Sequence, residues 1–347
     1  MKNQLSKSLH ILKVTLLLSM FLYALPFSST ETQQQEPAFP NASYVIFKDE
    51  AKIYAKNSLS NIVEYEGTNA TQVLTQVSNS LKFGGKISIM QGEYELSGEW
   101  VINNEDIIIE GNGFSTVLKN FGIKIGEKKC RNQIRDIKID IIDRSGNGIT
   151  CINSEPWTSN LDIYNVFITN ADHGIHLENA SDCRILKSNI GLCNIGIYAK
   201  VHFFLTIENT FVYHCAFREI YAKAWLSMRG CVIPSKAVSE ALFLENAQGE
   251  IAGCWFETDK AVPLVNMENC ASLHIAGCEF AANTTGELIK VKCLGFAITA
   301  CRFEYATVGI HILAGWGTIS SCTTVNVPTL YKCENEAKVQ IDNSPNN

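Results

Sequence analysis

The chain has 347 residues, of which 46% are hydrophobic and 18% charged, and a formal net charge of −6. That balance supports a large buried core and excludes a wholly disordered chain. No long basic run is present, which argues against a nucleic-acid partner, while an acidic glycan stays compatible with a local basic groove.

The first segment reads as a targeting sequence. Lys2, Lys7 and Lys13 precede an apolar run at 14–25, and the small residues Ser28 and Ser29 follow it. The run has the length of a signal-peptide core and is short for a membrane span. Residues 1–29 are therefore expected to be a signal peptide or signal anchor, and the protein to be secreted or held at the extracellular surface. Membrane contact is expected only through an uncleaved segment, with residues 14–25 as the anchor. Residues 30–43 are polar and glutamine-rich and read as a linker. Asn-x-Ser/Thr triplets begin at Asn41, Asn69, Asn179 and Asn283. They agree with export, although such triplets also arise by chance.

Residues 44–83 form a lead-in that ends in a helix. Asn69 can cap it with Gln72 three residues on, and Val73, Leu74, Val77 and Leu81 make one apolar face. Gly84 and Gly85 stop it. A stack of strands must cover its open ends, and this helix is expected to lid the first coil.

From about residue 84 to 333 the sequence repeats. One pattern is an aliphatic residue, two spacers, a small or polar residue, one spacer and an apolar residue. It appears as Met228, Cys231, Ile233, then Ile251, Cys254, Phe256, then Ile275, Cys278, Phe280, then Ile298, Cys301, Phe303. Cys322 ends the series, and Val166, Asn189 and Thr210 are read as its earlier members. A second pattern keeps the same 21–24-residue period: Ile149-Thr-Cys151, Ile175-His-Leu177, Ile197-Tyr-Ala199 and onward to Ile310-His-Ile312. Short strands at this spacing cannot bury a core alone, but stacked coils about 4.8 Å apart can. The expected fold is all-β: a right-handed parallel β-helix, a solenoid of about ten coils with an N-terminal capping α-helix. Residues 334–347 are left as a C-terminal tail.

The same register accounts for the cysteines. Cys231, Cys254, Cys278, Cys301 and Cys322 form one inward column, where cysteine serves as a small buried hydrophobe. In-register parallel side chains do not readily reach disulfide torsions, so reduced thiols are expected. No metal is expected there, because a zinc site needs four convergent ligands.

The stretch Gly84-Gly85-Lys-Ile-Ser-Ile-Met-Gln-Gly-Glu-Tyr94 resembles the opening coil of pectate-lyase-like β-helices. Ile107 to Gly113 and then Thr116-Val117-Leu118 resemble the next coil. The resemblance covers about residues 65 to 333. It implies the fold and a polysaccharide or cell-surface glycan as partner, and calcium by resemblance only. It does not bring a reaction, because the same scaffold carries lyases, hydrolases, epimerases and non-catalytic surface proteins. The Asn-Thr-Asp, Asp-Asp, Gly-His-Gly and Arg-x-Lys series of polygalacturonase-like enzymes is not found in order, nor is the acidic calcium cluster of pectate lyases.

Two sets of residues are candidates for function. Asp172 and His173 put a carboxylate beside an imidazole in a turn, a pair suited to acid–base work on a sugar. The matching turns hold Asn147, Asn194, Arg218 and Glu219. His176, Tyr198, Tyr221 and Phe243 take the outward position of one strand on four successive coils and could stack on sugar rings. They could equally be covered by a turn or by the tail. The next column pairs Glu178 with Lys200 and Lys223 with Glu245, which reads as register control. The function expected is a secreted or surface carbohydrate-interacting β-helix, a polysaccharide lyase or glycoside hydrolase if catalytic. The alternative is a non-catalytic surface or adhesion scaffold.

Overall fold

The computed structural model describes residues 42–283 and 286–342. The expected targeting segment 1–29, most of the linker, and the triplet at Asn41 lie outside the described residues. Among the described residues, no helix is long and apolar enough to cross a membrane.

Three antiparallel strands open the described chain: Tyr44–Asp49, Lys52–Asn57 and Val63–Gly67. The first also pairs in parallel with Gly85–Ile89, so the meander occupies an edge that would otherwise be open. Helix α1 (Ala70–Ser80) follows. Its first turn is satisfied by the Asn69 side chain, which accepts the Gln72 N–H at 3.1 Å. Ala70, Val73, Leu74 and Val77 are buried and join the main core. Trp100, fully buried, donates its indole N–H to Ser78 Oγ at 3.3 Å, and Asn104 reaches the Ser78 carbonyl at 2.7 Å. The helix therefore packs on the first turn of the stack.

From Gly85 onward each strand pairs in parallel with its equivalent one turn later. Ile149–Ile152 pairs with His173–Glu178, that strand with Ile195–Glu208, and the next with Arg218–Arg229. The result is a parallel β-solenoid of about 11 turns, slightly more than the ten expected. The difference lies at the C-terminus. Thr329–Asp342 pairs with Val308–Ser320, so the ladder runs past 333 into the segment expected to be a tail. Ala337 and Val339 pack against the core at strand spacing, but without the glycine and cysteine that mark earlier turns.

The cysteine column is present, with one correction. Phe167 pairs with Asn189, so the partner of Val166 is Ser188 and not Asn189. The hydrogen bonds agree: Val166 N–H donates to Ser188 Oγ at 3.3 Å, and Ser188 N–H to Thr210 Oγ1 at 3.4 Å. In the same way Cys231 N–H donates to Cys254 Sγ and Cys254 N–H to Cys278 Sγ, both at 3.4 Å. Each hydroxyl or thiol in turn donates to the carbonyl two residues before it. Thr210 does so at 3.0 Å, Cys254 and Cys278 at 3.4 Å, and Cys301 at 3.3 Å. The column thus selects a small side chain that can both donate and accept. Asparagine fits that inward place badly, and Asn189 stands one residue on, half-buried.

The residue before each column member is left-handed. Asn165, Lys187, Asn209, Gly230, Gly253, Gly277, Ala300 and Ser321 all have φ between 49° and 60°. Glycine is free there and alanine is not. Replacing Ala300 with glycine is expected to stabilise the protein by about 1 kcal/mol, and Gly253→Ala to destabilise it by about as much. Chemical denaturation of the two variants tests both signs.

All 13 cysteines carry unpaired thiols; Cys322 is half-buried, Cys333 exposed and the rest buried. Thiol labelling of the native protein is expected to reach Cys333 quickly, Cys322 slowly, and the inner column only on unfolding. Rapid native labelling at Cys254 or Cys278 would contradict this packing.

Candidate functional site

The outward column is one continuous register. Thr150 stands beside His176, then come Tyr198, Tyr221, Phe243, Asn266, Lys290 and His311. The four rings touch in sequence. His176 and Tyr198 meet edge-on with centroids 4.9 Å apart; Tyr198 and Tyr221 stack at 4.8 Å and 13°; Tyr221 and Phe243 lie tilted at 5.8 Å. These are ordinary attractive geometries for aromatic pairs. His176, Tyr198 and Phe243 are partly exposed, whereas Tyr221 is 7% exposed and its hydroxyl donates to Glu245. Tyr221 is therefore mostly a spacer within the stack. Glu245 had been expected to pair with Lys223, and the Tyr221 hydroxyl holds one of its oxygens instead.

Asp172 and His173 lie against the N-terminal end of this stripe. His173 is centred 4.7 Å from His176 and 5.3 Å from Tyr198. Its Nδ1 is 3.1 Å from Asp172 Oδ2 and 3.1 Å from Asn147 Oδ1. Both neighbours are acceptors, so Nδ1 carries the proton and Nε2 is left with its lone pair. The Asn147 amide nitrogen is 3.4 Å from His176 Nδ1 and can only donate. His176 therefore carries its proton on Nε2, which lies 3.6 Å from Glu178. Asn194 donates to Asp172 Oδ1 at 3.1 Å. The residues assigned separately to chemistry and to binding thus form one network over consecutive turns.

Burial sets the proton affinities here. It pushes both His173 and His176 below the ordinary imidazole value, against the opposing pull of Asp172 and Glu178; His173 lowers His176 further. A neutral His173 with a free Nε2 beside a carboxylate is equipped to accept a proton.

Further along the stripe the charges close on themselves. Arg218 lies 4.7 Å over the Phe243 ring and pairs with Glu240 at 2.7 Å. Burial favours the neutral acid at Glu240, but hydrogen bonds from Ser239, its own backbone N–H, Arg218 and Asn266 outweigh it and hold the carboxyl at about 2. Sequence reasoning missed Glu240, because its partner Arg218 sits one turn away and only the register joins them. Glu219 was read as a turn residue and instead points into the core. It is fully buried, accepts from Ser235 Oγ at 2.6 Å and from Cys215 N–H at 3.2 Å, and desolvation raises its value to about 7. Among the described residues, no group of three histidine, cysteine, aspartate or glutamate side chains could hold a metal ion.

No protein-family model matches the sequence, and no curated protein does. Solved structures do. A DFA-IIIase from Arthrobacter chlorophenolicus A6 matches with a TM-score of 0.61 at 13% identity, over 78% of this chain and 90% of that one. The A-module of the mannuronan C-5 epimerase AlgE4 from Azotobacter vinelandii matches at 0.58 and 12%, over 78% and 96%. ORF18 of Geobacillus virus E2 matches at 0.53 and 15%, over 79% of this chain but 58% of its own length. The fold is a right-handed parallel β-helix. Identities this low establish the fold alone.

The lowered imidazoles have a consequence for stability. The folded chain binds fewer protons than the unfolded chain just below the ordinary value of 6.5. The contribution of these groups is whole above that value and falls as acid protonates them. The histidine contribution is expected to fall as pH drops below 6.5, so the pH dependence of stability in His173→Asn should differ from that of the parent by a smaller loss on the acid side. Ring-proton titration by NMR should place both histidines below 6.5. A value above it for His173 would contradict the assigned network.

Proposed function

We propose that this chain is a carbohydrate-interacting β-helix that holds a glycan along the stripe from His176 to Phe243 and acts on it with His173 and Asp172. The observation that carries this reading is the single network in which Asp172, His173, Asn147 and His176 adjoin Tyr198. The partly exposed rings offer flat apolar surface for sugar faces, and Asn266 and Lys290 continue the same column with polar groups. His173 Nε2 is the general base, fit either to take a proton from a sugar carbon or to activate water. Asp172 orients the ring and stabilises the imidazolium that forms. The similar folds include an enzyme named as a mannuronan C-5 epimerase, which agrees with a glycan ligand. The reading also places the protein outside the cell, delivered by residues 1–29, with helix α1 as the lid of the first turn.

The second reading is a non-catalytic surface scaffold. The self-paired Arg218–Glu240 and Tyr221–Glu245 contacts favour it, because they leave those groups less free to take a substrate.

Turnover separates the two. The purified protein would be screened on polyuronates and neutral glycans, with and without calcium, reading unsaturated products for a lyase and new reducing ends for a hydrolase. His173→Ala and Asp172→Asn are expected to cut the rate by about a hundredfold or more. Tyr198→Ala is expected to weaken binding about tenfold with little change in melting temperature. Tyr198-dependent binding without turnover would support the scaffold; an active preparation indifferent to all three changes would overturn the reading.

A further inference from the structure

A second surface runs along a different face of the stack. A groove of about 580 Å³ is lined there by Asp106, Arg131, Asp162, Asp182, Arg184 and Phe204, among others. The register carries it from turn to turn: Gln133 stands beside Asp162, Asp162 beside Arg184, and Arg184 beside Thr206. From Asp106 through Arg131, Asp162 and Arg184 to Phe204 it spans about 20 Å at about 4.8 Å per turn.

Its charged end is built from paired groups. Arg131 binds both oxygens of Asp106, at 2.7 and 2.8 Å, and Arg184 binds both oxygens of Asp162, at 2.6 and 2.5 Å. Such fork-on-carboxylate pairs fix donors and acceptors in one plane. Unlike the half-buried Arg218–Glu240 pair, they are exposed, so the second lone pairs of the carboxylates and the Nη1 group of Arg184 still face solvent. The lining carboxylates Asp106, Asp162 and Asp182 outnumber the guanidiniums Arg131 and Arg184. A polyanion would meet no surplus of positive charge.

Its other end is aromatic and open. Phe204 and Trp225 are 53% and 43% exposed, and their rings meet edge-on with centroids 5.1 Å apart. Phe203 joins them, 6.0 Å from Trp225 and 43% exposed. This exposure is a local departure from the repeat. The ladder pairs Lys200 with Lys223 but Phe204 with Trp225, so one turn carries two more residues than the next at this corner. Phe203 lies in that insertion. Clustered exposed rings are unusual on a soluble surface and mark places where something else is bound.

We propose that this groove binds a linear, uncharged oligosaccharide, with Phe204 and Trp225 as the stacking platform and the Asp106–Arg131 and Asp162–Arg184 pairs as fixed partners for hydroxyls. Flat rings suit the apolar faces of sugars, and side-by-side donors and acceptors suit adjacent hydroxyl groups. The absence of surplus positive charge selects against uronate chains and nucleic acid. The proposal shares with the reading above only the class of ligand; it uses other residues on another face.

The test is calorimetric titration of the intact protein with the hexasaccharides of cellulose, laminarin, starch and mannan, and with hexagalacturonate as the charged control. At least one neutral hexasaccharide is expected to bind. Phe204→Ala, Trp225→Ala and Arg184→Gln are each expected to weaken that binding about tenfold or more, while Leu59→Ala, an exposed side chain outside both surfaces, leaves it unchanged. Thermal melts keep the result interpretable, because Phe204 and Trp225 are exposed and their removal should leave the melting temperature as it was. The proposal is overturned if no neutral hexasaccharide binds. It also fails if binding survives loss of both rings, or if hexagalacturonate is preferred with a steep salt dependence. Loss of binding in Tyr198→Ala alone would assign the sugar to the stripe and refute this groove.

Discussion

Every feature of this protein depends on one constraint: the backbone N–H groups of each turn must find the carbonyls of the next. In a parallel stack this fixes the height of every residue relative to its neighbours. Core residues then become columns. Phe256, Phe280 and Phe303 show the effect, stacking at 5.0 and 5.4 Å with nearly parallel rings. Position 148, 174 or 196 must be nearly bare, because a Cβ there would meet the next turn's carbonyl at 2.5 Å for Gly148 and 2.6 Å for Gly174 and Gly196, and an isoleucine methyl at 2.4 Å for Gly148 and Gly174. The outward stripe is the same constraint seen from the solvent side.

The constraint explains how much could be read from the sequence. The repeat of small residues before aliphatic ones is visible without coordinates, because each turn must solve the same packing problem. The reading failed where one turn departs from the period. Ser188 and Asn189 are adjacent and both polar, and only the hydrogen bond to Thr210 distinguishes the inward one. The final turn was missed because Ala337 and Val339 keep the strand alternation without the turn residues that flag it. The network around His173 was half legible. Asp172 and His173 stand together in the chain, but Asn147 joins them from the preceding turn, and Glu240 reaches Arg218 from the following one. Contacts between turns carry no local signal.

The two faces differ in chemical character although they share a scaffold. The stripe brings a free imidazole nitrogen to a stack of rings; the groove brings paired ions to a separate ring cluster. The first combines a titratable group with a surface that could orient a ligand, and the second has orienting groups alone. Such a division is natural in a solenoid, where a substitution on one face leaves the others in register.

A solenoid also has no centre. Each turn rests only on its two neighbours, so its stability is close to a sum of local couplings. The imidazoles of the 173–178 turn lose stability as pH falls below 6.5, whereas Glu219, two turns on, loses it as pH rises from 4.5 towards about 7. The stack is thus clasped at two nearby points with opposite senses. The two losses run through overlapping pH ranges below neutrality, so they partly offset one another in the chain as a whole while each acts on its own turns.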